Sequence, residues 1–93
     1  MEITLRIRTE NVTWQEIDGE LVILDLQRST YLTTNVVGAQ LAKYLTEDRS
    51  LDDLVDLLVS TYGIDTETAT RDAEAFIQQL ISKDLLIPDA AES

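Results

Sequence analysis

Carboxylates make up most of the charged side chains in this 93-residue chain, and a dense group of them lies at Asp52, Asp53 and Asp56. Carboxylate oxygens are ligands of Ca²⁺ and Mg²⁺, but such a site needs further ligands to complete its coordination shell. No neighbouring residue supplies them, and the group follows Ser50, a helix-capping residue type, where the helix dipole favours negative charge. The sequence therefore predicts a solvated helix start here and no metal site.

Two residue types that carry much of enzyme chemistry are missing, since the chain contains no cysteine and no histidine. Their absence excludes disulfides and thiol nucleophiles, and it removes the commonest zinc ligands and the usual general base near neutral pH. No other arrangement of nucleophile, base or metal ligands stands out. We therefore expect a protein that is not an enzyme and that uses no cofactor.

The charge balance restricts the partners, because 18 acidic residues against 7 basic ones give a formal net charge of −11. Such a chain repels phosphate backbones, so a nucleic-acid partner is not expected. The N-terminus lacks the basic and apolar segments of a signal peptide, and no apolar run approaches the roughly 20 residues of a membrane span. We expect a cytoplasmic protein without a membrane partner.

The elements that must position any site begin with strands. Apolar and polar residues alternate over residues 3–7, which indicates a strand with one buried face. Asp18-Gly19 lies between two β-prone runs, and glycine accepts the positive φ of a tight hairpin turn. A second turn at residues 27–29 leads into a short, half-polar strand at residues 30–34. We predict a three-stranded antiparallel meander whose last strand forms an edge, unless the N-terminal segment covers it.

The rest of the chain is typical of three helices. Asn35, Ser50 and Asp65 are good N-caps, Gly63 ends the second helix, and Pro88 is expected to end the third. Residues 89–93 are predicted to be a disordered tail, which leaves residues 1–88 as a single domain. The predicted fold class is α+β, a winged helix-turn-helix with a three-stranded antiparallel sheet followed by three helices. The predicted apolar stripe of the third helix is Ala69, Ala73, Phe76, Ile77, Leu80 and Ile81.

The best-known use of a winged helix-turn-helix is DNA binding. The charge of the third helix, which would enter the DNA groove, indicates whether this use is plausible here. Residues 65–84 carry five acidic side chains against only Arg71 and Lys83, so this helix would be repelled by a DNA groove. A winged-helix transcriptional regulator, or a winged helix that binds other proteins, stays as an alternative.

Over residues 14–86 the sequence resembles the PqqD-like proteins, also called recognition elements of ribosomally synthesised and modified peptides (RiPP recognition elements). The order and spacing of several features carry the resemblance. These are the apolar strand ending in Asp25, Tyr31 on the next strand, the Asn35 cap followed by Gly38-Ala39, Tyr62 before the third helix, Arg71-Asp72 within it, and Leu85-Leu86.

The resemblance implies a non-catalytic adaptor that binds the leader segment of a precursor peptide and delivers it to modifying enzymes. The leader would pair antiparallel with the third strand, in the groove between that strand and the third helix. The segments "GELVILD" and "NVVGAQL" are nearer to the lasso-peptide group, whose partners are a leader protease and a cyclase. The alternative is a PqqD-type chaperone that presents a precursor peptide to a radical SAM enzyme.

An exposed strand edge has unpaired N–H and C=O groups that an extended peptide can satisfy, while pockets beside it select side chains. If Leu32 points into the core, then Tyr31 and Thr33 lie on the opposite face. Phe76 is expected to form the floor of a pocket, and Asp72 to orient Arg71 or receive a leader lysine. The predicted peptide-binding residues are Arg28, Ser29, Thr30, Tyr31, Leu32, Thr33, Thr34, Arg71, Asp72, Ala75, Phe76 and Gln79.

Three of these residues have plainer interpretations. Phe76 is the only phenylalanine and can serve the core alone, Tyr31 can make ordinary cross-strand contacts, and Asp72 can form a solvated pair with Arg71. Thr34 departs from the family pattern, which has a large apolar residue just before the capping Asn35. We therefore expect thinner core support at the end of this strand.

Overall fold

A computed structural model of the protein describes residues 4–88, which form six strands and three helices. The chain runs through β1 (Thr4–Ile7), β2 (Val12–Ile17), β3 (Glu20–Asp25), β4 (Thr30–Thr34), α1 (Val36–Tyr44), β5 (Arg49–Ser50), α2 (Leu51–Tyr62), α3 (Thr66–Ser82) and β6 (Leu86–Pro88). The predicted tail at residues 89–93 lies outside the described part of the chain.

The main sheet is the predicted antiparallel meander, in the order β2-β3-β4. Its first hairpin closes where Ile17 pairs with Glu20 around a two-residue turn. Asp18 and Gly19 both have positive φ, at 54° and 83°, as a type I′ turn requires. The hairpin predicted from the Asp-Gly dipeptide is therefore confirmed.

The N-terminal strand does not cover β4. Instead β1 lies between β5 and β6 in a second small antiparallel sheet, where Leu5 is opposite both Arg49 and Pro88. This sheet was not predicted, because β5 and β6 have only 2 and 3 residues and are too short to show a periodic pattern. An α+β fold with a three-stranded antiparallel sheet and three helices is confirmed, and the winged helix-turn-helix arrangement stays a prediction.

The helix starts follow their caps. The Asn35 side chain accepts a hydrogen bond from the N–H of Gly38 at 2.9 Å, and the Ser50 side chain accepts one from the N–H of Asp53 at 3.1 Å. The prediction that Pro88 ends the third helix is wrong. The helix ends at Ser82, because the chain turns through Asp84 at φ 58° and continues into β6.

The core lies where α1, α2 and α3 meet the inner face of the main sheet. One face of α3 is buried in this core and consists of Ala69, Ala73, Phe76 and Leu80. Ile77 packs against the core from the side. The sixth member of the predicted stripe, Ile81, is 52% exposed, because it lies about 100° round the helix from Leu80, beyond the half-buried Ile77.

Two further observations concern membrane-spanning helices and metal-binding clusters. Among residues 4–88, no helix has the length and apolar character that crossing a membrane requires. The same part of the chain holds no cluster of acidic side chains arranged to hold a metal ion.

Candidate functional site

The β2–β3 hairpin determines which backbone groups of the main sheet are free. A two-residue turn makes Ile17 and Glu20 a pair that exchanges both backbone hydrogen bonds, and successive residues of a strand direct their N–H and C=O groups to alternate sides. The N–H and C=O groups of the even-numbered residues of β3 therefore point towards β2. The N–H of Leu26 donates to the carbonyl of Asn11 at 2.8 Å, which agrees with this alternation. The N–H and C=O groups of the odd-numbered residues of β3 consequently point towards β4.

These odd-numbered residues pair with Thr30, Leu32 and Thr34, whose backbone groups point towards β3. The N–H and C=O groups of Tyr31 and Thr33 therefore point away from the sheet. Within residues 4–88 no strand pairs with this side of β4. We call the outward backbone groups of Tyr31 and Thr33 the free edge, and they are positioned to accept an added extended segment.

The two faces of β4 differ as the alternation predicted. Leu32 is 9% exposed and Thr34 is 7% exposed, so both point inward, whereas Tyr31 is 61% exposed on the outer face. The expectation that Tyr31 and Thr33 oppose Leu32 is confirmed. Leu32 itself is committed to the core.

A cleft of about 380 Å³ opens beside the end of β4, between α1 and α3. Phe76 is buried, with 5% of its surface exposed, and closes the cleft from below. Exposed Asp72 and Gln79 add polar groups at its α3 wall. The cleft is lined by Thr33, Thr34, Asn35, Val37, Gly38, Leu41, Asp72, Ala75, Phe76 and Gln79.

Gly38 makes the close passage between strand and helix possible. A Cβ atom at this position would lie 2.8 Å from the Cβ of Thr34 and 3.4 Å from Cε1 of Phe76. The hydroxyl of Thr34 donates to the carbonyl of Asn35 at 3.1 Å, so its polar atom is satisfied although the side chain is buried. Because Thr34 is small, it borders the cleft without filling it.

A buried ion pair holds the other end of β4. Asp25 is 2% exposed, and its carboxylate accepts hydrogen bonds from Arg8 Nη2 at 2.5 Å and from the N–H groups of Gln27 at 3.0 Å and Arg28 at 3.2 Å. Burial raises the pKa of Asp25, but the hydrogen bonds from Arg8, Arg28 and Gln27 outweigh it and hold the pKa below its ordinary value. The turn before β4 is thereby tied to the carboxylate.

The same group of charges reaches the end of α3. Arg8 Nη2 donates to the carbonyl of Asp84 at 3.1 Å, and Arg28 Nη2 lies 2.5 Å from the Asp84 carboxylate. The strand wall and the helix wall of the cleft are therefore linked at one end by the arrangement of Asp25, Arg8, Arg28 and Asp84.

The structure brings six of the predicted peptide-binding residues together in the cleft, namely Thr33, Thr34, Asp72, Ala75, Phe76 and Gln79. Thr30, Tyr31 and Leu32 belong to the edge strand, Ser29 lies in the preceding turn at φ 57°, and Arg28 is occupied by its carboxylate partners.

Arg71 does not line the cleft, and of the other predicted residues only Ala75 borders the same depression as Arg71. It borders a separate depression on the other side of α3, with Leu5 and Leu51. The expectation that it pairs with Asp72 is wrong. Its guanidinium lies 3.9 Å from Glu67, one turn earlier, because adjacent helix residues point in different directions.

The sequence reasoning missed the α1 wall of the cleft, which consists of Asn35, Val37, Gly38 and Leu41. One signal was available, since a helix cap that directly follows an edge strand must bring the first helical turn beside that edge. How α1 lies against α3 had no such signal.

The fold and site define a small α+β domain with an unpaired sheet edge beside a cleft. A family model for coenzyme PQQ synthesis protein D (PqqD) matches residues 20–86, and the chain belongs to this family as a PqqD-like RiPP recognition element. No curated protein matches the sequence.

Two solved structures are similar over nearly the whole chain. TbiB1 in complex with the TbiA(beta) leader peptide is 33% identical, with a TM-score of 0.76, and the match covers 87% of this chain and 93% of that one. Lasso peptide synthetase B1 complexed with the leader peptide is 25% identical, with a TM-score of 0.76, covering 90% of this chain and 98% of that one.

Proposed function

We propose that this protein is a non-catalytic adaptor that binds the leader region of a ribosomally made precursor peptide by β-strand addition along β4. The observation that carries the proposal is the free edge of Tyr31 and Thr33 running directly into a cleft. Both similar structures contain leader peptides, which supports the same class of ligand.

The backbone and the cleft have different tasks. An added strand makes up to four hydrogen bonds with Tyr31 and Thr33, each contributing roughly 0.5–1.5 kcal/mol net. These bonds are independent of the leader's sequence, so they do not distinguish one peptide from another. Selectivity therefore depends on the side chains of the leader, among them those that enter the cleft.

The cleft suits one large apolar side chain with a polar or basic neighbour. Phe76, Val37 and Leu41 supply apolar contact, and Ala75 leaves room on the α3 side. Asp72 is exposed at the rim, and the net charge of −11 attracts basic segments. A leader with an aromatic residue or a proline near a lysine fits this arrangement.

We further propose that the bound leader is delivered to a leader protease and a cyclase in a cytoplasmic lasso-peptide pathway. The similarity to lasso peptide synthetase B1 supports this pathway. The family description, PQQ synthesis, supports the second candidate, a chaperone for a radical SAM enzyme. The genes beside this one distinguish the two pathways, since each requires a different enzyme.

The test is a titration of the protein into a fluorescein-labelled synthetic leader from a precursor encoded beside its gene, read by fluorescence polarisation. Saturable binding is expected, and a scrambled leader of the same composition serves as the control. If no neighbouring leader binds better than its scrambled form, the proposal is wrong.

A further inference from the structure

The outer face of the main sheet carries an apolar pair at the free edge. Tyr31 is 61% exposed and Leu24, directly opposite it on β3, is 36% exposed. Both side chains lie on the face opposite the inward-pointing Leu32, and neither lines the cleft. We call Tyr31 and Leu24 the outer strip.

Strand pairing determines what an added strand places over this strip. The peptide residue that exchanges backbone hydrogen bonds with Tyr31 lies directly opposite it, with Cα atoms about 5.5 Å apart and side chains on the same face. The next peptide residue lies opposite Leu32 and points to the inner face, on the side of the cleft. Neighbouring residues of the peptide therefore meet different surfaces of the protein.

Resting on the proposed function, we infer that the leader is recognised on both faces of the sheet. The leader residue paired with Tyr31 carries an aromatic or branched apolar side chain, which packs against the Tyr31 ring, and Leu24 supports that ring from the other side. The neighbouring leader residue points towards the cleft. Specificity then depends on two adjacent positions of the leader and not on the cleft alone.

The continuity of the strip with the free edge favours the leader as its occupant. Tyr31 supplies both the backbone groups that pair and the ring that is exposed, so a strand bound at the edge places the side chain of its paired residue beside the ring. A second copy of the chain is the other candidate for the same edge. Two copies each carrying −11 repel one another, whereas a leader with basic residues is attracted.

Matched substitutions separate the outer strip from the rest of the sheet. Tyr31→Thr and Leu24→Thr keep β-forming residues. Tyr31→Thr is expected to weaken binding of the fluorescein-labelled leader roughly 10-fold through lost apolar contact, and Leu24→Thr by less, because Leu24 acts through the Tyr31 ring. The control is Ile17→Thr, which removes an apolar side chain that is 54% exposed on the same face but on β2, away from the edge. Its affinity is expected to stay within about twofold.

The absence of cysteine allows the leader position to be assigned directly. A Tyr31→Cys variant is mixed, with oxidised glutathione as the oxidant, with leader peptides that carry one cysteine at successive positions, and the position that forms a disulfide fastest is the one opposite residue 31. Aspartate at that leader position is expected to weaken binding to the wild-type protein strongly and to Tyr31→Thr much less.

Two results overturn the inference while leaving the proposed function intact. One is wild-type affinity in both Tyr31→Thr and Leu24→Thr, and the other is tolerance of aspartate at the assigned leader position. A concentration-dependent dimer that the leader does not dissociate would show that a second copy of the chain occupies the edge. This result also overturns the inference. Failure of the wild-type protein to bind any neighbouring leader contradicts the proposed function itself.

Discussion

Arg8 Nη2 lies 2.5 Å from Asp25 Oδ2, and this contact joins the residue that directly follows β1 of the small sheet to β3 of the main sheet. Asp25 is 2% exposed, and only 17% of the Arg8 side chain is exposed, so neither charge is well hydrated. Because the same carboxylate also holds the turn before β4, the two sheets and the start of the edge strand share one anchor.

Asp25→Asn is expected to lower the urea midpoint of unfolding clearly, since it leaves the Arg8 guanidinium partly buried without a counter-charge. Glu67→Gln is the control, because the pair that it breaks with Arg71 is exposed on both sides. Equal midpoints for the two variants would contradict the anchoring role of Asp25.

The stability of the protein is expected to fall in acid through Asp25. Its pKa is lower in the folded state than its ordinary value of 3.8, because the hydrogen bonds that lower it outweigh the burial that raises it. The carboxylate therefore stabilises the fold fully above about pH 4, and this contribution is lost as the pH falls through the folded-state pKa. Urea midpoints of wild type and Asp25→Asn, measured between pH 7 and pH 2, should converge at the acid end.

An effect in the same direction is expected from Asp65. Its pKa is lowered by the side-chain and backbone hydrogen bonds from Thr68 at the start of α3. Asp65→Asn should therefore reduce, but not remove, the acid sensitivity that remains in Asp25→Asn. For Asp25 itself, the contrary result is a difference in urea midpoint between wild type and Asp25→Asn that is as large at pH 2 as at pH 7. It would show that the charge on Asp25 does not contribute to stability.

Gly38→Ala is expected to destabilise the protein by about 1–3 kcal/mol, because the added Cβ would lie only 2.8 Å from the Cβ of Thr34. Glycine to alanine in a helix interior normally stabilises by roughly 0.5–1 kcal/mol, so the sign of the change is diagnostic. Gln40→Ala, at an exposed position of the same helix, is the control and should be near neutral. Denaturant unfolding measures both.

Gln79→Ala is expected to weaken leader binding roughly 3- to 10-fold, as loss of one hydrogen bond in the cleft would. The melting temperature should not change, because Gln79 is exposed. Gln78→Ala is a close control, since the neighbouring glutamine lines the depression on the other side of α3. If both variants bind alike, the leader does not contact this side of the helix.

Thr33→Pro is expected to abolish strand addition while the protein stays folded. The N–H that it removes points away from the sheet, and proline is tolerated at such edge positions. Glu16→Pro removes an outward N–H from β2, at the opposite edge of the same sheet, and should leave leader binding unchanged. Circular dichroism checks folding, and fluorescence polarisation checks binding; unchanged binding by Thr33→Pro would place the leader elsewhere.

Much of the fold was predictable because its signals are local. The Asp18-Gly19 turn, the caps at Asn35 and Ser50, and the alternation along β4 depend on residues near one another in sequence, and all are confirmed. The site followed in part, because alternation and helical spacing identify which side chains share a face. Six predicted residues therefore meet in one cleft.

The remaining features depend on contacts between distant parts of the chain. The small sheet joins β1 to β5 and β6, the Arg8–Asp25 pair crosses between sheets, and the α1 wall forms only when α1 packs beside α3. No local pattern encodes such contacts, because each one is selected by the packing of the whole core. The sequence by itself determined a half-polar last strand of the meander, and the tertiary structure decided that, within residues 4–88, the outer edge of β4 stays unpaired beside a cleft.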